Sequence, residues 1–541
     1  PNGDLALLEL RVRDVGTSHT PLVGSYERYG WNHPGPLLFY LYALPYRVFG
    51  SQFAGIQIGA LLVAAASVVV IALVAWRRGG VGLLVWILLL TTLLAHGVPG
   101  RLTDPWEPNV LVLAVVALVF VTYAAIAGER WALPVTVVFG TLIAQASPTV
   151  LVTAIVLVVV AAVGVLVRIV RNQERGWLRA IAASGVLLVA TWIPPAIDVL
   201  IHHPNNLGLV LRWFRQGHAT IGLGNAYRMV ALQFGVPAPW MGGAIPKAQF
   251  TTTVDFKAAP AVPIALLAVA AAIVFSARRR EPDARFVVTA LVAAGATIVG
   301  ASRLVGPIFI WIPQPTRGIG MVCWAAGGWC LYQALPPRHR ARFDGPALAT
   351  LGAALVAVVA VNTVAVAGLR PATDARERAL LSLRSAGVRE ARRARGPILL
   401  RSRAPINAVF GGAETDVEIF GLALVRKGVD VVVDPNLGNR FGEFRAHPQR
   451  AVEEFLILGR GTPLPPQYRE IASVDPLTPQ QHAARARLTA RLEQLAPGAT
   501  QQQILHLSAH DARIASARDQ LDNIPDEPVL VLAAGPPRAR D

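Results

Sequence analysis

The run Gly3-Asp4-Leu5-Ala6-Leu7-Leu8-Glu9-Leu10-Arg11-Val12-Arg13-Asp14, closed by Trp31-Asn32-His33-Pro34-Gly35-Pro36, decides how the chain is read. It gathers three carboxylates, a set of arginines and a His-Pro-Gly-Pro turn immediately ahead of a long apolar run that starts near Phe53. Those charges therefore sit at the edge of a hydrophobic body. In a chain that dissolves mainly in lipid, chemistry belongs to such polar connections.

Composition defines that body. With 541 residues, 54% hydrophobic and 15% charged, and a mean hydropathy of +0.48, the chain reads as an all-α polytopic membrane protein and not as a soluble multi-domain chain. A net charge of +17 suggests nucleic acid at first sight. In a membrane protein, however, Lys and Arg collect in cytoplasmic connections and at headgroups, so the charge is a topology signal and nucleic acid is excluded as a partner. Cys323 and Cys330 stand seven positions apart in one apolar run, roughly 10 Å along a helix axis, too far for an unstrained disulfide.

Apolar segments run over about 53–76, 81–98, 109–127, 131–147, 149–168, 178–200, 259–276, 286–303, 316–335 and 345–367, which makes ten. Alternate connections are short and basic: Arg77-Arg78, Gly128-Glu129-Arg130, Arg168 to Arg179, Arg278 to Arg285 and Arg338 to Arg342. By the positive-inside rule they are cytoplasmic. Residues 1–52, 97–108, 147–149, 201–258, 303–315 and everything after about 368 then face outward. An outward first loop needs a helix before it, so an uncleaved transmembrane helix is expected upstream of Pro1, giving eleven.

Three parts follow from this reading: a first extracytoplasmic loop (1–52), a transmembrane helical domain (53–367) with a long outer loop (201–258), and a C-terminal extracytoplasmic domain (368–541). Within the long loop, Leu207 to Gln216 alternates apolar and basic residues at helical spacing, as an interfacial helix does. After Leu369 the composition turns soluble. Short β-like runs at 397–400, 429–433, 455–458 and 529–532 alternate with helical stretches near 374–395, 412–427, 478–496 and 510–522, the pattern of a small α/β domain. It contains no phosphate loop, nucleophile elbow or metal spacing, so acceptor binding or structural support is its expected role.

Asp4, Glu9 and Asp14 are the candidates for a base that deprotonates an acceptor hydroxyl. On a helix, Asp4 and Asp14 differ by about 80° around the axis and do not share one face. The competing reading makes them solvated loop charges paired with Arg11, Arg13 and Arg28. Arg303 and Arg317, at the outer ends of two apolar segments, suit a lipid phosphate because guanidinium grips phosphate oxygens bidentately; snorkelling to the interface is the alternative. His33 either donates to the same phosphate or shapes the turn before Pro34. Asp104 and Glu107 are good helix-start carboxylates. The pair His202-His203 reads as a surface pair, and Phe39, Tyr40, Tyr42 and Tyr46 as an interfacial belt.

Trp31 to Leu44, followed by Phe49-Gly50 and an apolar helix, resembles the His-Pro-Pro-Leu-Tyr-Tyr…Phe-Gly signature of the GT-C glycosyltransferases, in the branch of the protein O-mannosyltransferases and lipid A aminoarabinose transferases. Gly3-Asp4 with Glu9 is similar to that family's first outer loop, whose Asp is the catalytic base. Leu102 to Asn109, Gln145 and Trp192 to Asp198 look like an actinobacterial subgroup. Two departures stand out: this chain has His-Pro-Gly-Pro where the family often has His-Pro-Pro, and it lacks the Asp-Glu pair of the protein mannosyltransferases. The resemblance covers roughly 1–370.

It implies a GT-C fold and an inverting transfer of a sugar from a polyprenyl-monophosphate donor to an envelope glycan, glycolipid or protein hydroxyl, at the outer face of the plasma membrane. Asp4 is then the expected base, with Asp14 the second candidate; Arg303, His33 and Arg317 hold the donor phosphate. Glu9, Arg11, Asp104 and Glu107 bind acceptor or support the site, and Asp104 with Glu107 can alternatively hold a divalent cation, as in oligosaccharyltransferase relatives. No other cofactor is implied, and membrane lipids are the remaining partners. The alternative class is a non-catalytic polyprenyl-lipid flippase or envelope-assembly scaffold.

Overall fold

The computed structural model describes residues 3–537 apart from 99, 173–174, 248–252, 258–280, 335–336, 368–374, 404–412, 460–461, 500, 509–510, 523 and 525–528. The chain is mostly helical and divides into two compact units, Arg11–Arg370 on one hand and Pro1–Leu10 with Pro371–Asp541 on the other. That division falls inside the first helix, α1 (Gly3–Asp14).

The larger unit continues with α2 (Leu37–Val48), α3 (Phe53–Gly97), α4 (Glu107–Ile126), α5 (Ala132–Ala146), α6 (Pro148–Asn172), α7 (Leu178–Ile201), α8 (Asn206–Arg215), α9 (Gly222–Ala231), α10 (Glu281–Ala301), α11 (Thr316–Ala334) and α12 (Pro337–Ala367). Five described helices, α3, α4, α6, α7 and α10, are long and apolar enough to cross a bilayer. The chain is a multi-pass membrane protein. The apolar run 259–276 lies outside the described residues. The runs 53–76 and 81–98 share α3, which breaks at Gly80 (φ 62°, ψ −156°), a backbone state that excludes a Cβ.

Helix α4 is apolar on every side, and 94% of its spanning window is buried, so it forms the core of this unit. Helices α3, α5, α6, α10 and α11 surround it. Helix α11 approaches closely because position 318 is glycine: a Cβ there would lie 2.6 Å from the carbonyl oxygen of Val112. Only 6% of the α7 window is buried, which marks it as peripheral. At one end of the bundle the basic connections meet, with Arg77 and Arg78 3.1 and 3.9 Å from Glu129 and Arg168 donating to the Ala127 carbonyl at 3.1 Å.

The smaller unit is built on a five-stranded sheet of order β2-β1-β3-β5-β4. In chain order its elements are α13 (Ala375–Ala394), β1 (Ile398–Ser402), α14 (Ala413–Val425), β2 (Val431–Val432), α15 (Gly438–Phe441), β3 (Glu453–Gly459), β4 (Arg469–Val474), α16 (Pro479–Leu495), α17 (Gln501–Ser508), α18 (Ala512–Asp522) and β5 (Leu530–Gly535). Strand β1 runs parallel to both β2 and β3, while β5 runs antiparallel to β3 and β4. The central β3 is buried along Glu454 to Gly459, as its nearly continuous apolar run requires. Two arginines pin this unit: Arg401 grips Asp434 at 2.9 and 2.7 Å and Glu454 at 2.9 Å, and Arg376 grips the fully buried Asp416 at 2.6 and 2.8 Å.

Candidate functional site

Between α1 and α2 the chain folds into a small hairpin. The Gly24 N–H donates to the His33 carbonyl (2.9 Å), the His33 N–H to Ser25 (2.7 Å) and the Glu27 N–H to Trp31 (2.7 Å). This register sets His33 Nε2 3.6 Å from Glu27 Oε2. Burial opposes the charge on His33, but the facing carboxylate of Glu27, with the charge of Glu107, outweighs it and holds the imidazole pKa above its usual value. Glu27, despite its own burial, is held below the carboxylate range by His33 and Arg28.

The hairpin ties together the connections assigned outward from the sequence. The Ser25 hydroxyl donates to the buried carboxylate of Glu107 in the first turn of α4. Asn32 and Asn206 exchange two hydrogen bonds of 2.8 Å, and Asp198 accepts the Asn206 N–H at 2.9 Å while facing His202 at 2.7 Å. Gln145 accepts the Leu37 N–H at 3.1 Å and donates to Thr191 at 2.8 Å, fixing the start of α2. Arg28 donates to the carbonyls of Val305 and Pro307, both at 3.2 Å, and the Tyr29 hydroxyl also bonds Val305.

A wall of rings runs along the same end. Trp106 lies 5.9 Å from Trp311, which stacks on Phe309 at 4.8 Å, and the Arg28 guanidinium sits 5.1 Å over Phe309. Just ahead of Trp106, Asp104 accepts the Trp106 N–H (3.0 Å) and the Asn109 amide (2.7 Å), which makes a turn leading into α4. Burial raises the Asp104 pKa over the opposing effect of those two donors and Arg101. Arg317 is buried at the start of α11 and donates to the carbonyls of Gly97 and Pro239, both at 2.8 Å. Arg101 lies near enough for its charge to act on both Asp104 and Arg317. Arg303, one connection residue beyond the end of α10, is exposed, and its guanidinium has no partner among the described residues.

The first-loop charges separate. Asp14 is buried in the larger unit, 3.6 Å from Arg11, and Arg13 donates to the Tyr46 hydroxyl at 2.8 Å. Asp4 is exposed and belongs to the smaller unit, as does Glu9, which is fully buried and held bidentately by Arg426, with one bond of 2.7 Å. Ser25, Glu27 and Asn206 were not singled out from the sequence; their partners lie on other connections, and nothing local marks them. Among the described residues no group of three or more His, Cys, Asp or Glu side chains is placed to hold a metal ion.

The chain is similar to two solved structures of ArnT from Cupriavidus metallidurans. One, bound to undecaprenyl phosphate, is 14% identical with a TM-score of 0.47, the match covering 87% of this chain and 92% of that one. The other, in the apo state, is 12% identical with a TM-score of 0.46, covering 85% and 89%. No family model matches the chain, and no curated protein matches it.

Proposed function

We propose that the chain is a GT-C membrane glycosyltransferase that takes a sugar from a polyprenyl-monophosphate donor and passes it, with inversion, to a hydroxyl of an envelope glycan, glycolipid or protein on the extracytoplasmic face. The acceptor oxygen attacks the anomeric carbon, the carbon–oxygen bond to phosphate breaks, and its electron pair leaves with the lipid phosphate. A phosphate leaves without needing a proton, so one base and a cationic partner suffice. Asp4 is the proposed base, because its exposed carboxylate is accessible to an acceptor where the buried Asp14 is not.

The observation that carries this reading is the exposed guanidinium of Arg303, which follows the apolar α10 in the connection that also bears Phe309 and Trp311. An arginine at headgroup depth favours an anionic partner, and a lipid phosphate is the anion at hand. His33 and Arg317 already engage Glu27 and two carbonyls, so in this reading they support the phosphate and Arg303 grips it. Arg303→Ala in nanodiscs should weaken binding of undecaprenyl phosphate by about 1.5 to 3 kcal/mol, the range for a hydrogen bond to a charged group, and Arg303→Lys should recover only part. Unchanged affinity in Arg303→Ala returns this side chain to simple contact with headgroups.

A further inference from the structure

Within the smaller unit, the first turn of α1 lies on α14. A Cβ built on Gly3 would stand 3.6 Å from Glu418 Oε2 and 3.7 Å from Thr415 Cγ2, and six residues on, Glu9 is gripped by Arg426 just past the end of α14. Glu418 is almost wholly buried at this contact. Three charged groups face it: Asp4 from α1, Arg440 from α15, whose guanidinium donates to Glu418 at 2.9 Å, and Glu414 from its own helix, which pairs with the same arginine at 2.7 Å. One cation is thus shared by two carboxyls, with a third nearby. Like charges so placed do not all ionise together.

We propose that Glu418 is a positioning residue for Asp4: the buried carboxyl of α14 seats the first turn of α1 and shares one negative charge with Asp4, leaving Asp4 as the group that takes the acceptor's proton. The step balances without a further reactant, since the acceptor's proton moves to Asp4 while Glu418 keeps its own. Burial, then the charge of Asp4, push the Glu418 carboxyl up to about 8 against the pull of Arg440. This inference rests on the base role proposed for Asp4. It gives the α/β unit a task, which is to hold and tune the helix that bears the base.

Infrared difference spectra of the full chain in nanodiscs, titrated from about pH 6 to about pH 10, test it. A protonated-carboxyl band should disappear near pH 8 and be missing from Glu418→Gln. In Asp4→Asn its midpoint should fall by about one pH unit or more, since a neighbouring like charge has gone. Should Glu418→Gln fail to fold, Arg440→Gln serves instead, and its midpoint should rise. A midpoint unmoved by Asp4→Asn overturns the pairing itself. Undiminished release of sugar from undecaprenyl-phosphate-linked mannose by Asp4→Asn overturns the base reading on which it rests, so the two failures are told apart.

Discussion

His33 and Glu27 form an ion pair inside a hairpin that three other connections lean on, and its pH dependence can be worked out from the directions of the two shifts. His33 has its folded pKa raised above 6.5, so its contribution is complete below 6.5 and fades as pH climbs through the raised value. Glu27 is lowered from 4.5, so its contribution is complete above 4.5 and fades as pH falls through the lowered value. The pair is therefore most effective between those two ordinary values. His33→Gln should destabilise the protein there by about 1 to 3 kcal/mol, the cost of leaving a buried polar partner unsatisfied, and the deficit should shrink above that window. Melting curves of both proteins across the range check this, and a deficit independent of pH would remove the charge on His33 from the account. The sequence singled out His33 for its turn but not Glu27, because a pairing across six residues depends on the hairpin register and not on any spacing visible beforehand.

Helices were more legible than their partners. The apolar runs among the described residues fall on helices because length and hydropathy alone dictate them in lipid, and the break in α3 at Gly80 follows the connection Arg77-Arg78 read between two of those runs. Strand β4 was missed because it is a half-exposed edge, Arg469-Glu470-Ile471-Ala472-Ser473-Val474, whose polar side chains hide the period of two. Helix α17 opens on Gln501-Gln502-Gln503 and carries little apolar signal. Least legible was α1, whose carboxylates look alike in sequence yet have different surroundings: Asp4 exposed, Glu9 fully buried, Asp14 buried beside Arg11. A buried carboxylate left without its arginine is expensive, about 3 to 5 kcal/mol. Arg426→Ala should therefore loosen the first ten residues and open them to protease, whereas Arg426→Leu combined with Glu9→Leu should restore protection, since an apolar pair of similar size avoids the unpaired charge. Equal cleavage of the parent and Arg426→Ala would show that other contacts hold α1.

Across the whole chain, the connections of the larger unit sort into two sets. Arg77, Arg78 and Glu129 with Arg168 and Ala127 meet at one end; the hairpin at 24–33, the turn at Asp104, Asn206 and the 302–315 connection are joined through the bonds of Ser25, Tyr42, Asn32 and Arg28. The first set is rich in arginine, and arginine near membrane helices is retained in the cytoplasm. We expect the second set, and with it residues 1–52, 201–258 and 368–541, to face the extracytoplasmic side. The two native cysteines, Cys323 and Cys330, form no disulfide and are buried in α11, so both should be inaccessible to a charged maleimide and leave a clean background. In intact cells His203→Cys and Lys427→Cys should react with such a reagent, whereas Arg171→Cys should react only after the membrane is opened; all three positions are exposed. Labelling of Arg171→Cys from outside would invert the orientation and, with it, the face on which a lipid-linked donor is met. Protection of Lys427→Cys alone would leave the orientation of the spans standing and place the α/β unit on the cytoplasmic side, which would sink the tuning role proposed for Glu418.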